Sequence, residues 1–548
     1  MSSQKYEWLN AREHVLRRPD THAGAIVPCE LETHVLRWHD GNWERRVVKV
    51  MLSPALSKVA DEVLTNASDN ARRSPDQKSI EAKFSADGVF EVCNDGQTIP
   101  IEHWPGTERY RPEILFGEMM TGENFDDSQQ RTGGGRNGVG VKIAGILSHE
   151  FEVQCVNLGQ NQIFYKCTDP HAKLLSVKYE GADAESIFAS DGVKRGPLTF
   201  ARLGPDGGCT ADTLIRVKEA VYRNVGPLHY TQRFTNNLEK AEPPTLCKPT
   251  GKTAKKSSTR ITWRVDLQRL GMSAPLSEDV LDVLRTRVVD IAACTGKSLA
   301  VCVDGQKIPI KSVKDYATAL GGNVIGRELF NADGVPSMEV CLMHADAANP
   351  ACTVGFVNGI RCSSGKHIDL VWKRILESLG QTLTKRLKRP VAVKANDLRE
   401  LLTLVVDVVA HNPTFTSQTK DRLDSSVDKL GLQAFQLSAA TLRGFERAGI
   451  VDLLAEAQNK QETLSVQKSI KADRGRTGAI PKYEKALKLH ASRGKEQPPC
   501  CLYLTEGDSA KALAVALGLI PVAVFVVKFS GASVSGTDPV SWAAGAAQ

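Results

Sequence analysis

The chain has 548 residues, with 70 Lys and Arg against 63 Asp and Glu, a formal net charge of +7, and 41% hydrophobic and 24% charged residues. These proportions are ordinary for a globular chain and exclude the compositionally biased classes, while the length calls for about three domains, each with its own core. The 13 cysteines include no CxxC pair and no zinc-spaced His/Cys cluster, and adjacent Cys500 and Cys501 are badly placed to bond each other, so reduced thiols in an intracellular compartment are expected. The polar opening MSSQKYEWLNAREHVLRRPD gives no sign of a secretory leader.

From Val47 to Ala71 apolar residues recur three and four apart, which predicts an amphipathic helix with Glu62, Asn66 and Asn70 on one face. The run SIEAKFSADGVFEVCNDG alternates around an Asp-Gly turn and predicts an antiparallel hairpin whose second strand ends at Asn94. A polar, glycine-rich loop, ENFDDSQQRTGGGRNGVGV, then feeds a helix, VKIAGILS, and a strand, HEFEVQCV. Residues 248–260, KPTGKTAKKSSTR, are basic and turn-rich and are expected to be an exposed loop. A helix from about Ser277, the alternating runs SLAVCVDG and ACTVGFVNGIRC, and the helical pattern DLVWKRILESLGQTLTKRLKR predict a second α/β domain reaching about residue 425. A charged, helix-rich connector follows over 426–498, before the strand-like CLYLT.

The spacing E-x-x-x-N-x-x-D-N from Glu62 to Asn70 sets a carboxylate and a carboxamide side by side on a helix. One can activate water while the other holds a metal, the two roles that phosphoanhydride hydrolysis requires. Taken alone, such a face is usually just a solvated surface. NDGQTIP and then GGGRNGVG follow in chain order, suited to a base contact and a phosphate-binding loop whose glycines bring N–H groups toward phosphate oxygens at a helix start.

These motifs resemble the GHKL ATPases, and PEILFGEMMTGENFDDSQQRTGGGRNGVGVKIAGILSHEFEV resembles specifically the type IIA DNA topoisomerases of eukaryotes and large viruses. LRRPDTHAGA, KIPIKSVKDYA, FVNGIRCSSGKHIDLV, VAVKANDL, NPTFTSQTK, IPKYEKA and LTEGDSAK extend the resemblance, in the family's order, from about residue 10 to 518. It implies an α+β multidomain chain. A GHKL (Bergerat) ATPase sandwich with an N-terminal arm would occupy 1–276, and a transducer domain of ribosomal-protein-S5-like α/β fold 277–425. A helical linker would occupy 426–498, and 499–548 would hold an incomplete TOPRIM start with a divergent tail.

By the same resemblance, ATP and Mg²⁺ are the expected cofactors. Glu62 is the general base, Asn66 the Mg²⁺ ligand, Asn70 a further pocket residue and Asn94 the adenine-side contact. Gly122, Glu123 and Asn124 touch the nucleoside, and Gly135, Arg136, Asn137, Gly138, Val139, Gly140, Val141 and Lys142 wrap the phosphates. Gln418, Thr419 and Lys420 match the transducer loop whose lysine reaches the γ-phosphate. Thr98, where the family commonly has glycine, and Gly122-Glu123, where paired serines are frequent, depart from the pattern.

Lys385, Arg386, Lys388 and Arg389 lie where the family faces captured DNA, and phosphates would bind them without sequence preference. Glu506, with Asp508 beside it, matches the first Mg²⁺-binding acid of a TOPRIM fold. No tyrosine follows Tyr503, so DNA cleavage by this chain alone is not expected. The implied partners are double-stranded DNA and a second copy joined through the ATPase domain, assisted by an arm around Tyr6 to Trp8, without a membrane. The implied place is the nucleus, or the cytoplasm for a viral protein. The expected function is the ATP-driven dimerisation clamp of a topoisomerase that passes one duplex through another. The alternative is an ATP-switched DNA clamp, or a regulatory partner of a longer enzyme.

Overall fold

The computed structural model describes residues 6–166 and 214–460, less 106, 127, 129–130, 134, 136, 218–219, 252, 254, 297 and 332–337, together with 463, 483–484, 502–505 and 523–526. Met1–Leu454 and Ala455–Gln548 are separate units.

In the first unit the single helix expected over 47–71 is corrected. Asn42–Leu52 is a strand paired with Cys29–His39, and the helix runs Pro54–Arg73. Val48, Val50 and Leu52 are buried while Val47, Lys49 and Met51 are exposed, so the period is two and the β-branched residues suit a pleated surface. Pro54 follows extended Ser53 and starts the helix, because its fixed φ fits the first turn and its missing N–H has no partner there anyway. Leu56, Val59, Ala60, Val63, Leu64 and Ala67 then bury one side of the helix in the core.

Beside this helix lies a nine-stranded sheet in the order Lys240–Ala241, Leu228–Thr235, Ser148–Asn157, Ser258–Val265, Val89–Asp95, Ser79–Phe84, Ala300–Val303 and Gln306–Lys307, with Thr245–Cys247 also on Leu228–Thr235. Neighbours are antiparallel, except that Ala300–Val303 runs parallel to Ser79–Phe84. The expected loop over 248–260 is corrected at its end: Ser258, Thr259 and Arg260 open a central strand. Burial of Ile261, Trp263 and Val265 shows the period-two alternation that pulls this segment into the sheet. Its register sets Thr259 opposite Asn94 and Ile261 opposite Val92.

Ser277 caps the helix Glu278–Cys294 by accepting from the Val280 N–H at 3.4 Å. Val324–Phe330, Met338–His344, Leu402–Val408, Thr353–Val357 and Ile360–Cys362 form a five-stranded second sheet in that order. The helix Lys366–Leu387 buries Ile368, Val371, Trp372, Ile375, Leu379 and Leu383. One hydrophobic core runs through both sheets, since Cys341, Met343, Val354, Phe356 and Val405 of the second join Val63, Leu64 and Ala67 beneath the first.

In the second unit, Ala523–Val526 pairs with Tyr483–Glu484 antiparallel and Leu502–Thr505 parallel. Leu502–Thr505 is the strand expected from CLYLT; Glu506 and Asp508 lie outside the described residues. No helix among the described residues is long and apolar enough to cross a membrane.

Candidate active site

A cavity of about 410 Å³ opens among the helix Pro54–Arg73, the strand ends carrying Asn94 and Thr259, the segment 121–142 and the loop holding Gln418 and Lys420. One part is apolar, with Val92, Ile99, Phe116 and Ile261 around the polar Asn94, Thr98 and Thr259. Such a slot suits a flat heterocycle, with the polar groups fixing its orientation. Asn94 donates to the Asp95 carbonyl at 3.1 Å. The Thr98 and Thr259 hydroxyls are 2.7 Å apart, so the threonine that replaces the family's glycine is joined to the neighbouring strand.

Elsewhere the wall is charged. Glu62 is 4% exposed and its carboxylate is clamped by two ammonium groups, Lys58 at 2.6 Å from the same helix and Lys420 at 3.2 Å from the second sheet's loop. Burial opposes the charge of Glu62, yet Lys420 and Lys58 together win and hold its carboxyl down at about 2. The same pairing raises Lys420 against the pull of burial. Gly140 starts the helix Gly140–Ile146 directly against this carboxylate, and a Cβ there would collide with Glu62 Oε2.

Lys142, almost fully buried, donates to the Thr121 carbonyl at 2.7 Å and is brought down to about 8 by burial. Asn124 donates to the Gly135 carbonyl at 2.9 Å, and Asn137 donates to the Gln418 side-chain oxygen at 2.9 Å. Asn66 stands one turn beyond Glu62 on the cavity wall. Two oxygen donors at that spacing suit a hard divalent cation that takes its remaining ligands from phosphates and water. No group of three His, Cys, Asp or Glu side chains able to hold a metal by themselves occurs among the described residues.

The cavity thus brings together Glu62, Asn66, Asn70, Asn94, Gly122, Glu123, Asn124, Gly135, Asn137, Gly138, Val139, Gly140, Val141, Lys142, Gln418 and Lys420. Thr419 is beside it, its carbonyl facing Lys58 at 3.5 Å. Arg136 lies outside the described residues. Lys385, Arg386, Lys388 and Arg389 sit apart from it at the end of the helix Lys366–Leu387, where Lys388 is left-handed (φ 53°) and Arg386 is ion-paired to Asp452.

Sequence reasoning missed Lys58, although its position four residues before Glu62 was a usable signal. It also missed Thr259 and Ile261, which reach the cavity only through a strand register spanning 165 residues from Asn94 to Thr259.

A buried Glu beside Asn on one helix, a glycine-rich loop opening a second helix, and a lysine delivered from a separate sheet define a GHKL-type ATPase coupled to a transducer. Comparison with known proteins is specific. Residues 307–435 match the DNA gyrase B family model. The chain is 30% identical to DNA topoisomerase 2 of Candida albicans over 540 residues, covering 94% of this chain and 31% of that one. It is likewise 30% identical to DNA topoisomerase 2 of Pisum sativum over 523 residues, covering 94% and 30%. The crystal structure of the ATPase region of Saccharomyces cerevisiae topoisomerase II superposes with a TM-score of 0.62 at 24% identity, covering 84% of this chain and 100% of that one. The ATPase and transducer domains of Balamuthia mandrillaris DNA topoisomerase II give 0.63 at 24%, with the same coverage. The chain belongs to the type IIA DNA topoisomerase family and corresponds to its N-terminal ATPase part. It spans about a third of the length of the curated relatives it matches.

Proposed function

We propose that this chain binds and hydrolyses ATP in the cavity at Glu62 and Asn66, and uses the cycle to close and reopen a dimeric clamp on double-stranded DNA. It would do so as the N-terminal part of a nuclear enzyme that passes one duplex through another. The observation that carries the reading is the Lys58–Glu62–Lys420 cluster, in which the second sheet's loop reaches the base. A carboxylate held at about 2 is a weak proton acceptor. A terminal phosphate that draws Lys420 to itself removes one of the two opposing charges, so Glu62 gains basicity as substrate binds.

In this reading Glu62 orients and deprotonates the attacking water. Asn94 meets adenine, and Gly122, Glu123 and Asn124 meet the nucleoside. The segment Gly135 to Lys142, Arg136 included, wraps the phosphates, and Gln418, Thr419 and Lys420 respond to the last of them. Asn66, supported by Asn70, would hold Mg²⁺, which neutralises phosphate charge. Exposed Tyr6 and Trp8, at 91% and 86%, suit contact with a second copy. Exposed Lys385 and Lys388 suit the DNA backbone, and Glu506 is the proposed first acid of a TOPRIM metal site.

The test is ATP hydrolysis by the purified chain with and without duplex DNA, for wild type, Glu62→Ala and Lys420→Ala, with plasmid relaxation measured alongside. Hydrolysis abolished in Glu62→Ala supports the assignment. Variants matching an active wild type refute it.

A further inference from the structure

A second route joins the nucleotide loop to the second sheet without Lys420. The Gly135 N–H donates to Asp69 Oδ2 at 3.1 Å. Asp69 is 5% exposed, and its other oxygen takes a hydrogen bond from Arg72 Nη1 at 3.3 Å. The same nitrogen donates to the Asn358 carbonyl at 2.6 Å, in the turn between the strands Thr353–Val357 and Ile360–Cys362.

That turn is fixed to its own sheet. The Asn358 side chain exchanges two hydrogen bonds with the Ala410 backbone, both 2.8 Å. Two residues on, the Asn412 N–H donates to the Arg131 carbonyl at 2.9 Å, back in the glycine-rich loop. The contacts therefore close a circuit from the loop through Asp69, Arg72, Asn358 and Asn412 to the loop again.

We propose that Arg72 is a positioning residue that carries the state of the nucleotide loop to the second sheet, through its shared grip on Asp69 and the Asn358 carbonyl. The proposal rests on the nucleotide reading of the cavity. Amides of such loops are the donors that phosphates take, and one N–H cannot serve both a phosphate and Asp69. When phosphate takes the Gly135 N–H, buried Asp69 loses a donor, and Arg72 is a cation already in contact with it that can compensate the loss. A shift of Arg72 toward Asp69 stretches its bond to the turn, and the Asn358–Ala410 bonds pass that shift into the sheet. A guanidinium suits this work, because its planar fork holds several acceptors in fixed geometry where an ammonium would not.

A further carboxylate stands on the sheet side. Asp407 is pushed up to about 7 by burial, with Arg72 pulling the other way, and its Oδ1 has no hydrogen-bond partner. Arg72 is thus hydrogen-bonded to an acid tied to the loop and acts electrostatically on an acid of the second sheet. Gly359, at φ 74°, leaves the space it needs: a Cβ there would stand 2.7 Å from Arg72 Nη2.

The experiment is hydrogen–deuterium exchange on the full chain with and without a non-hydrolysable ATP analogue and Mg²⁺, read in peptides covering 131–142 and 353–362. Wild type is expected to gain protection in the first and change exchange in the second. In Arg72→Met the first response persists with analogue affinity within about threefold, while the second falls by about fivefold or more, the lower end of typical coupling. Gly359→Ala keeps every charge and presses on the same guanidinium from the other side, so it gives the same split even if Arg72→Met folds poorly. An unchanged response at 353–362 in either folded variant overturns the relay alone. No protection at 131–142 in wild type overturns the nucleotide reading, and the relay with it.

Discussion

Glu62→Gln is predicted to destabilise the nucleotide-free chain as well as silence it. Glu62 is held at about 2, well below the 4.5 of an unperturbed glutamate carboxyl, and that difference corresponds to roughly 3 kcal/mol favouring the charged carboxylate in the folded state. The folded value is depressed, so this stability is present in full above about pH 4.5 and is lost as pH falls toward 2. Glutamine removes it at pH 7 and leaves Lys58 and Lys420, only 6% and 11% exposed in their side chains, facing each other without the shared anion. Breaking a buried pair from one side carries a cost of this order. With an unfolding entropy of about 2 cal/mol/K per residue over the first unit, roughly 3 kcal/mol lowers Tm by about 3 °C. The assay is thermal unfolding without nucleotide at pH 7, for Glu62→Gln, Lys420→Met and the double variant. The double variant should recover part of the loss, since it removes both the anion and one stranded cation. Strictly additive losses, or an unchanged Tm in Glu62→Gln, would refute the cluster as a coupled unit.

Gly140→Ala should lower ATP hydrolysis by about 100-fold or more with the far-ultraviolet circular dichroism unchanged, because its Cβ displaces the Glu62 carboxylate; hydrolysis near wild type would show that the carboxylate has room to move. His367 is buried with neither ring nitrogen hydrogen-bonded, and burial lowers it to about 4. The unfolded chain therefore binds the extra proton first, and stability falls as pH drops from about 6.5 to 4, by roughly 3 kcal/mol. Urea titrations across that range should show a shallower acid limb in His367→Gln. Lys385→Ala with Lys388→Ala should weaken duplex binding and reduce the slope of log K against log salt by about 2, leaving DNA-free hydrolysis unchanged; an unaltered slope places the DNA elsewhere.

What the sequence disclosed, and what it hid, follows the range of each interaction. Glu62, Asn66 and Asn70 were legible because helical spacing places them on one face without tertiary information. The hairpin ending at Asn94 was legible because an Asp-Gly turn fixes its register locally. The strand Asn42–Leu52 was misread since VVKVML fits either period over so short a span, and Pro54 was the boundary signal. Thr259 was placed in a loop because Ser258 to Arg260 gain their ladder from Asn94, Cys93 and Cys155, partners that no local pattern identifies. Lys420 could be named from its resemblance, but its clamp on Glu62 could not, because 358 residues separate them.

That separation has a mechanical consequence. Lys420 reaches Glu62 from a backbone with φ 63°, a conformation that non-glycine residues hold only when their surroundings determine it. Those surroundings are the edge of the second sheet and a short strand pair that follows it in the chain: the Lys420 carbonyl takes the Cys362 thiol at 3.4 Å, and Leu423 pairs with Gly365. The charge state of the proposed base is therefore set by an element whose position depends on the packing of the second sheet. A substitution that shifts that sheet against the helix Pro54–Arg73 changes the basicity of Glu62 without touching the cavity. Gly365→Ala is the direct case, since a Cβ there would meet the Leu423 backbone at 2.8 Å. It should shift the pH dependence of hydrolysis while nucleotide affinity stays within about threefold, and a profile identical to wild type would mean that Lys420 finds Glu62 whatever the sheet does.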